Sequence, residues 1–233
     1  MLNSKRLKVF HYYRNLILLR LTQASKALKK EDDIQKYAEK LIQHNERVYS
    51  NSPSYEGARE LAFSYEHTAL LYHDLRRYDK TQNLYTQAIE LRQRLYEATK
   101  DNEDLYSLAK DYDHLGNAYR LDGDNETASL FFNKSKEYIT ILLEDDQSEK
   151  CRDAYGVLLY HLAMVSYDRE ITVAYLEKSY GVFDQLIKEN AKKSYVYKAT
   201  QVLGELASIY ESDGNTIALD KCTKELERLK KLR

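Results

Sequence analysis

Six histidines, two cysteines and 37 acidic residues give this chain material for metal or acid–base chemistry, so their spacing is tested first. His67 and His114 stand far apart, and no HExxH pair, His/Cys cluster or CxxC pair gathers such ligands. Their equivalent places in two stretches of the chain mark them as repeat positions. Cys151 and Cys222 stand alone, which points to a reducing, cytoplasmic setting rather than a disulfide framework. The run Asp122-Gly123-Asp124-Asn125-Glu126 resembles the start of a calcium loop. It fails at Thr127, where such a loop needs glycine, and at Asn133, where it needs its closing carboxylate. There is no Gly-rich phosphate loop and no GxSxG elbow. The reading is therefore of a protein that is not an enzyme, with no cofactor, no metal and no small-molecule substrate.

The elements that carry these residues are helical. The chain has one proline and seven glycines in 233 residues, too few breakers for a turn-dense β protein. Leu108, Tyr112, Leu115, Gly116 and Tyr119 fall on one face of a 3.6-residue period. Gly123 then suits the positive φ that ends a helix, and Asp124 or Asn125 suits the cap of the next. That next helix turns Ala128, Phe131, Phe132, Ser135, Tyr138 and Leu142 inward. One unit upstream the turn is Arg76-Arg77-Tyr78-Asp79-Lys80, with Asp79 as candidate cap.

The helix pair repeats. Residues 47–96 laid over 94–143 without a gap share ten identities in fifty, against about three by chance. The matches include Leu61/Leu108, Ala62/Ala109, Tyr65/Tyr112, His67/His114 and Tyr72/Tyr119. A period of this size means a stacked array. Weaker copies follow at Leu158 to Phe183 and Val202 to Leu226. A first copy places Leu18, Leu21, Thr22, Ser25, Ile34, Ala38 and Leu41 on the template. The expectation is one all-α domain over 1–233, an α-solenoid of about five antiparallel helix pairs. Its units run about 5–46, 47–99, 100–147, 150–190 and 193–233.

Tyr112, Leu115, Gly116, Tyr119, Ala128, Phe132 and Ser135 meet the tetratricopeptide repeat pattern at its spacing. Tyr65, Ala69, Tyr72, Thr81, Tyr85 and Ala88 nearly match, with Thr68 for leucine. The chain thus resembles the tetratricopeptide repeat family in a long-unit variant, with units of 43–48 residues where the standard is about 34 and without the usual closing proline. The resemblance implies a right-handed superhelix whose first helices line a concave groove. It places Phe63, Glu66, Leu70, His73 and Asp74 there from the second unit, Lys110, Asp113, Asn117 and Arg120 from the third, and Gln201, Ser208 and Glu211 from the last. The fourth unit offers two registers: Val157, Tyr160, Met164 and Tyr167, or Leu158, His161, Val165 and Asp168. The resemblance gives Asn117 the role of holding an extended peptide backbone, because one amide donates and accepts together. Arg120, a turn on, suits a carboxylate. Leu70 stands where a second asparagine would complete a two-carboxylate clamp.

Charge narrows the partners. Net charge is −1, which excludes a strong global field for nucleic acid. Residues 1–30 nevertheless carry eight Lys or Arg and no acid. There Phe10, Tyr13, Ile17, Leu21, Ala24 and Leu28 form an apolar stripe with Lys5, Arg6, Lys8, Arg14, Lys26 and Lys29 on the other side, read as a solvated capping helix or an electrostatic dock. The apolar run Asn15 to Leu21 is too short for a membrane span. At the far end Leu219, Cys222, Leu226 and Leu229 form the stripe of a closing helix. The leading expectation is a scaffold or adaptor that takes a peptide or helix of a protein partner in its groove. The alternative is a regulatory or sensor module of a larger assembly, and nucleic-acid binding through residues 1–30 ranks below both.

Overall fold

The structure, a computed structural model, describes the backbone of residues 4–28 and 30–232 and the side chains from Arg14 onward, Lys29 apart. Lys5, Arg6, Lys8, Phe10, Tyr12, Tyr13 and Lys29 of the basic segment therefore lie outside the described side chains. Ten helices and no strand occur among the described residues. They are α1 (Ser4–Ala27), α2 (Glu31–Asn51), α3 (Tyr55–Asp74), α4 (Tyr78–Thr99), α5 (Asn102–Asp122), α6 (Asn125–Asp145), α7 (Glu149–Val165), α8 (Arg169–Glu189), α9 (Lys193–Ser212) and α10 (Thr216–Lys230). They form five helix hairpins in two compact units, residues 1–100 with α1 to α4 and residues 101–233 with α5 to α10.

Short polar side chains start most of the helices. Ser54, Asp101, Asp124, Ser148, Asp168 and Asn215 each accept a backbone N–H of the first turn, satisfying donors that the helix cannot. Asp124 is thus the cap of α6, with Thr127 N–H at 2.9 Å. Asp79 is not a cap: α4 starts at Tyr78 behind Arg77, whose side chain makes no cap bond, and Asp79 sits in the first turn. Gly123 and Gly214 end α5 and α9 at φ 96° and 66°. The position equivalent to Gly123 is Arg76, held at φ 57°.

In 101–233 the core is built on close approach. A Cβ on Gly116 would lie 2.7 Å from Phe132 Cδ1, so only glycine lets that ring settle on α5. Gly156 does the same for Phe183, with 2.8 Å to Cζ. Phe132, Leu158, Leu159, Leu176, Phe183 and Ala199 are fully enclosed. Outside this layer Tyr112 and Tyr119 stack on Phe131 at 6.2 and 5.4 Å between centroids. In 1–100 the crossing positions are Ala62, Ala69, Tyr72, Tyr85 and Ala88, all buried.

Tyrosines tie helices together by burying their rings and offering their hydroxyls to carboxylates. Tyr65 donates to Glu46 at 2.8 Å, Tyr180 to Glu225 at 2.7 Å and Tyr210 to Glu177 at 2.7 Å, and Tyr195 donates to Glu149. Burial first, and the carboxylate second, push all four phenols above the ordinary tyrosine range.

Two expectations need correction. Leu21 shares the repeat template with Leu18, Thr22 and Ser25, yet it is 38% exposed, while those three are buried. Tyr167, a groove residue in one register of the fourth unit, lies in the turn after α7 at 87% exposure, because α7 already ends at Val165. The fourth unit's register is settled by burial: Leu158 and Val165 are core, while Val157, Tyr160 and Met164 are half-buried.

Candidate functional site

The first helices of 101–233, α5, α7 and α9, lie side by side, joined by side chains about one repeat apart in sequence. Lys150 reaches Glu103 at 2.6 Å, and Lys198 reaches Asp153 at 2.5 Å. Lys150 also covers the Tyr106 ring at 4.0 Å. Between these helices opens a cleft of about 190 Å³, with Tyr106, Lys110 and Asp113 on one wall and Asp153, Val157 and Lys198 on the other. Its rim carries Lys110, Lys198 and Asp153, and its walls are aromatic and aliphatic. Such a surface can hold an extended backbone by side-chain hydrogen bonds while burying apolar groups.

Asp113 is buried on this face. Its Oδ1 lies 2.7 Å from His161 Nδ1 on the neighbouring α7. The His161 ring stacks on Phe132 at 5.3 Å. Burial drives the Asp113 carboxyl up, but the charge and hydrogen bond of His161, with His114 and Lys110, outweigh it and hold it below the usual carboxylate range. Asp113 thus positions neighbouring helices. His67, His114 and His161 fall at the same place in three consecutive first helices. The two earlier histidines are legible as a repeat in the sequence; His161 stands in one of the two registers of the fourth unit, and the structure places it in line with them.

Asn117 and Arg120 lie together a turn further along α5, both half-buried. Asn117 Oδ1 accepts from Arg120 Nη2 at 2.8 Å and Nε at 3.2 Å. This pins the guanidinium against α5, near Tyr160 of α7, whose phenol is raised by burial and by Glu205 and opposed by Arg120. Ser208, Glu211 and Gln201 are exposed on α9.

In 1–100 the residues named for the groove separate. Glu66 does not face outward: it is buried and bonded to Arg92 of α4 at 2.5 Å, an ion pair with both side chains nearly enclosed. Phe63 and Leu70 remain exposed, at 47% and 37%. His73 is 3.9 Å from Asp74 and edge-on to Tyr78, and Asp74 is bonded to Lys26 of α1. His67 stacks on Phe63 at 6.0 Å with its Nε2 buried and unpartnered, and burial lowers its pKa. Cys151 and Cys222 are buried free thiols. Among the described residues no three His, Cys, Asp or Glu groups converge as a metal site, and no helix is long and apolar enough to cross a membrane.

No protein-family profile matches the chain, and no curated protein matches it in sequence. Solved structures do. A putative kinesin light chain of Podosopora anserina with nearly identical TPR-like repeats superposes with TM-score 0.57 at 14% identity, covering 99% of this chain and 97% of that one. BtubC (BKLC) from P. vanneervenii superposes with TM-score 0.55 at 14% identity, covering 94% of this chain and 91% of that one. At such identity the likeness is one of fold, and it agrees with the repeat pattern, the glycine crossings and the helix order: the chain has a tetratricopeptide-like helical repeat fold.

Proposed function

We propose that this protein is a non-enzymatic, cytoplasmic interaction scaffold that holds a peptide or helix of a protein partner against the α5, α7 and α9 face. The observation that carries the reading is the cleft between α5 and α7. It joins apolar walls to a rim of Lys110, Lys198 and Asp153, with the Asn117–Arg120 pair beyond it. Arg120, already oriented, would take a carboxylate, and the Asn117 amide a backbone group. Lys110 supplies charge at the mouth, and Asp113 sets the helix spacing. Ser208 and Glu211 would extend the contact along α9, and Leu70 and His73 would form a separate surface on 1–100. Glu66, spent on Arg92, supports its own helix pair. The fold shared with TPR-like repeat proteins supports this reading.

The test is capture from the native host with the wild type and with Asn117→Ala/Arg120→Ala, after thermal melts show that the variant is folded. A partner that stays bound to the double variant, but leaves when α1 is altered, removes the α5–α7–α9 face from consideration.

A further inference from the structure

The first helix, α1, shows a face that the following repeat covers on its own first helix. Ile17, Leu21, Ala24 and Leu28 recur at i, i+4, i+7 and i+11, so they share one side of the helix. All four are exposed, Ile17 at 57% and Leu28 at 66%. This side lies about a quarter-turn round the helix from the buried α1 residues Leu18, Thr22 and Ser25. Moved on by one repeat of 47 residues, the four positions become Ser64, Thr68 and Leu71 of α3 and its C-cap residue Leu75. There the same side is occupied: Leu71 and Leu75 pack on Ile34 and Ala38 of α2, and Ser64 and Thr68 are buried. The α1 stripe thus stands at the place where α3 receives α2, and it is exposed in this structure.

Its charge selects the occupant. By helical phase, Arg14 and Arg20 flank the stripe on opposite edges, both exposed and without an ion pair among the described residues. Exposed Lys30 stands where Arg77 stands in the next repeat, and Arg77 lies 4.0 Å from Glu31 at the acidic start of α2. The sequence of α1 contains no acid. Pairing two copies of α1 would set these cations against each other, whereas an acidic helix would satisfy them. We infer that the Ile17–Leu21–Ala24–Leu28 face of α1 is a docking site for an acidic amphipathic helix of a protein partner, seated as α2 is seated on α3. This surface is separate from the α5–α7–α9 face, and either can fail without the other.

The probe is a fluorescein-labelled peptide with the sequence of residues 31–51, which already covers the equivalent face of α3. Fluorescence anisotropy against the full chain should show saturable binding. Leu21→Asp/Leu28→Asp should weaken it about tenfold or more, and Arg14→Glu/Arg20→Glu about threefold or more, with steeper loss in salt. Asn117→Ala/Arg120→Ala should leave it unchanged. Because Leu21 and Leu28 are exposed, both variants should keep the wild-type melting curve; Leu21→Ser/Leu28→Ser serves if the aspartates disturb α1. Absence of saturable binding, or equal binding by the stripe variants, overturns the inference. So does light scattering that shows a dimer abolished by Leu21→Asp/Leu28→Asp without peptide binding, which makes a second copy the occupant. Sedimentation with phosphatidylserine vesicles that needs the stripe, when the peptide does not bind, makes it a lipid surface.

Discussion

Asp113 and His161 show how one polar contact can set the distance between two repeats. Removing the carboxylate leaves a histidine oriented for a lost partner, and Asp113→Ala should cost about 3 kcal/mol in urea unfolding near neutral pH. The folded pKa of Asp113 is depressed, so its contribution is present above the unfolded value of about 3.9 and is lost as pH falls through the folded value. The gap between wild type and variant should therefore close in acid; a gap that stays constant refutes the assignment. His67 works in the same direction for another reason. Burial favours its neutral form, so below about pH 6.5 the unfolded chain takes up the proton first and stability drops. His67→Gln should flatten that part of the profile. Neither role was legible in sequence. A histidine repeated every 47 residues announces a structural position, but whether it meets a carboxylate or an aromatic ring depends on the neighbouring helix.

Helix ends and crossings obeyed local chemistry closely enough to be read in advance. Gly123 and Gly214 are legible from the turn they make, whereas Gly156 stands where Ala62 and Ala109 stand in earlier repeats, ahead of the stretch read as the fourth copy, and only the structure shows Phe183 pressed against it. Gly116→Ala would drive a methyl into the Phe132 ring and should cost about 1 to 3 kcal/mol. Phe132→Leu should recover part of the loss in the double variant, and additive losses would disprove the clash. Arg76 is the converse case. It holds the left-handed conformation that glycine holds one repeat later, so Arg76→Gly should raise stability by about 0.5 to 1 kcal/mol and Gly123→Ala should lower it by about 1 kcal/mol. Calorimetric melting temperatures moving in opposite directions would bear this out. The misreading of Leu21 also belongs to this scale. Periodicity finds an apolar side of a helix, but a helix of a stacked array has one such side for its own hairpin and another for a neighbour.

At the scale of the whole molecule the sequence disclosed the repeat and the pairing of its helices, because each unit writes the same small and aromatic residues at the same spacing. The candidate site was less visible. Lys198, Asp153 and Tyr106 come from helices far apart in sequence, and only packing brings them to one cleft. The tyrosine distribution has a further consequence. With 22 tyrosines and no tryptophan, the ultraviolet signal of the chain arises almost wholly from phenols spread along its repeats. Those of Tyr65 in 1–100, and of Tyr180, Tyr195 and Tyr210 in 101–233, are held protonated by burial and by a carboxylate. Because their folded values are raised, their contribution is intact below about pH 10 and is lost as pH climbs through the folded values. An alkaline absorbance titration should show a late phenolate fraction that merges with the rest in denaturant, and Tyr65→Phe and Tyr210→Phe should each remove a share of it. The protein thus carries its own optical gauge in both units, able to report the loosening of each without any attached dye.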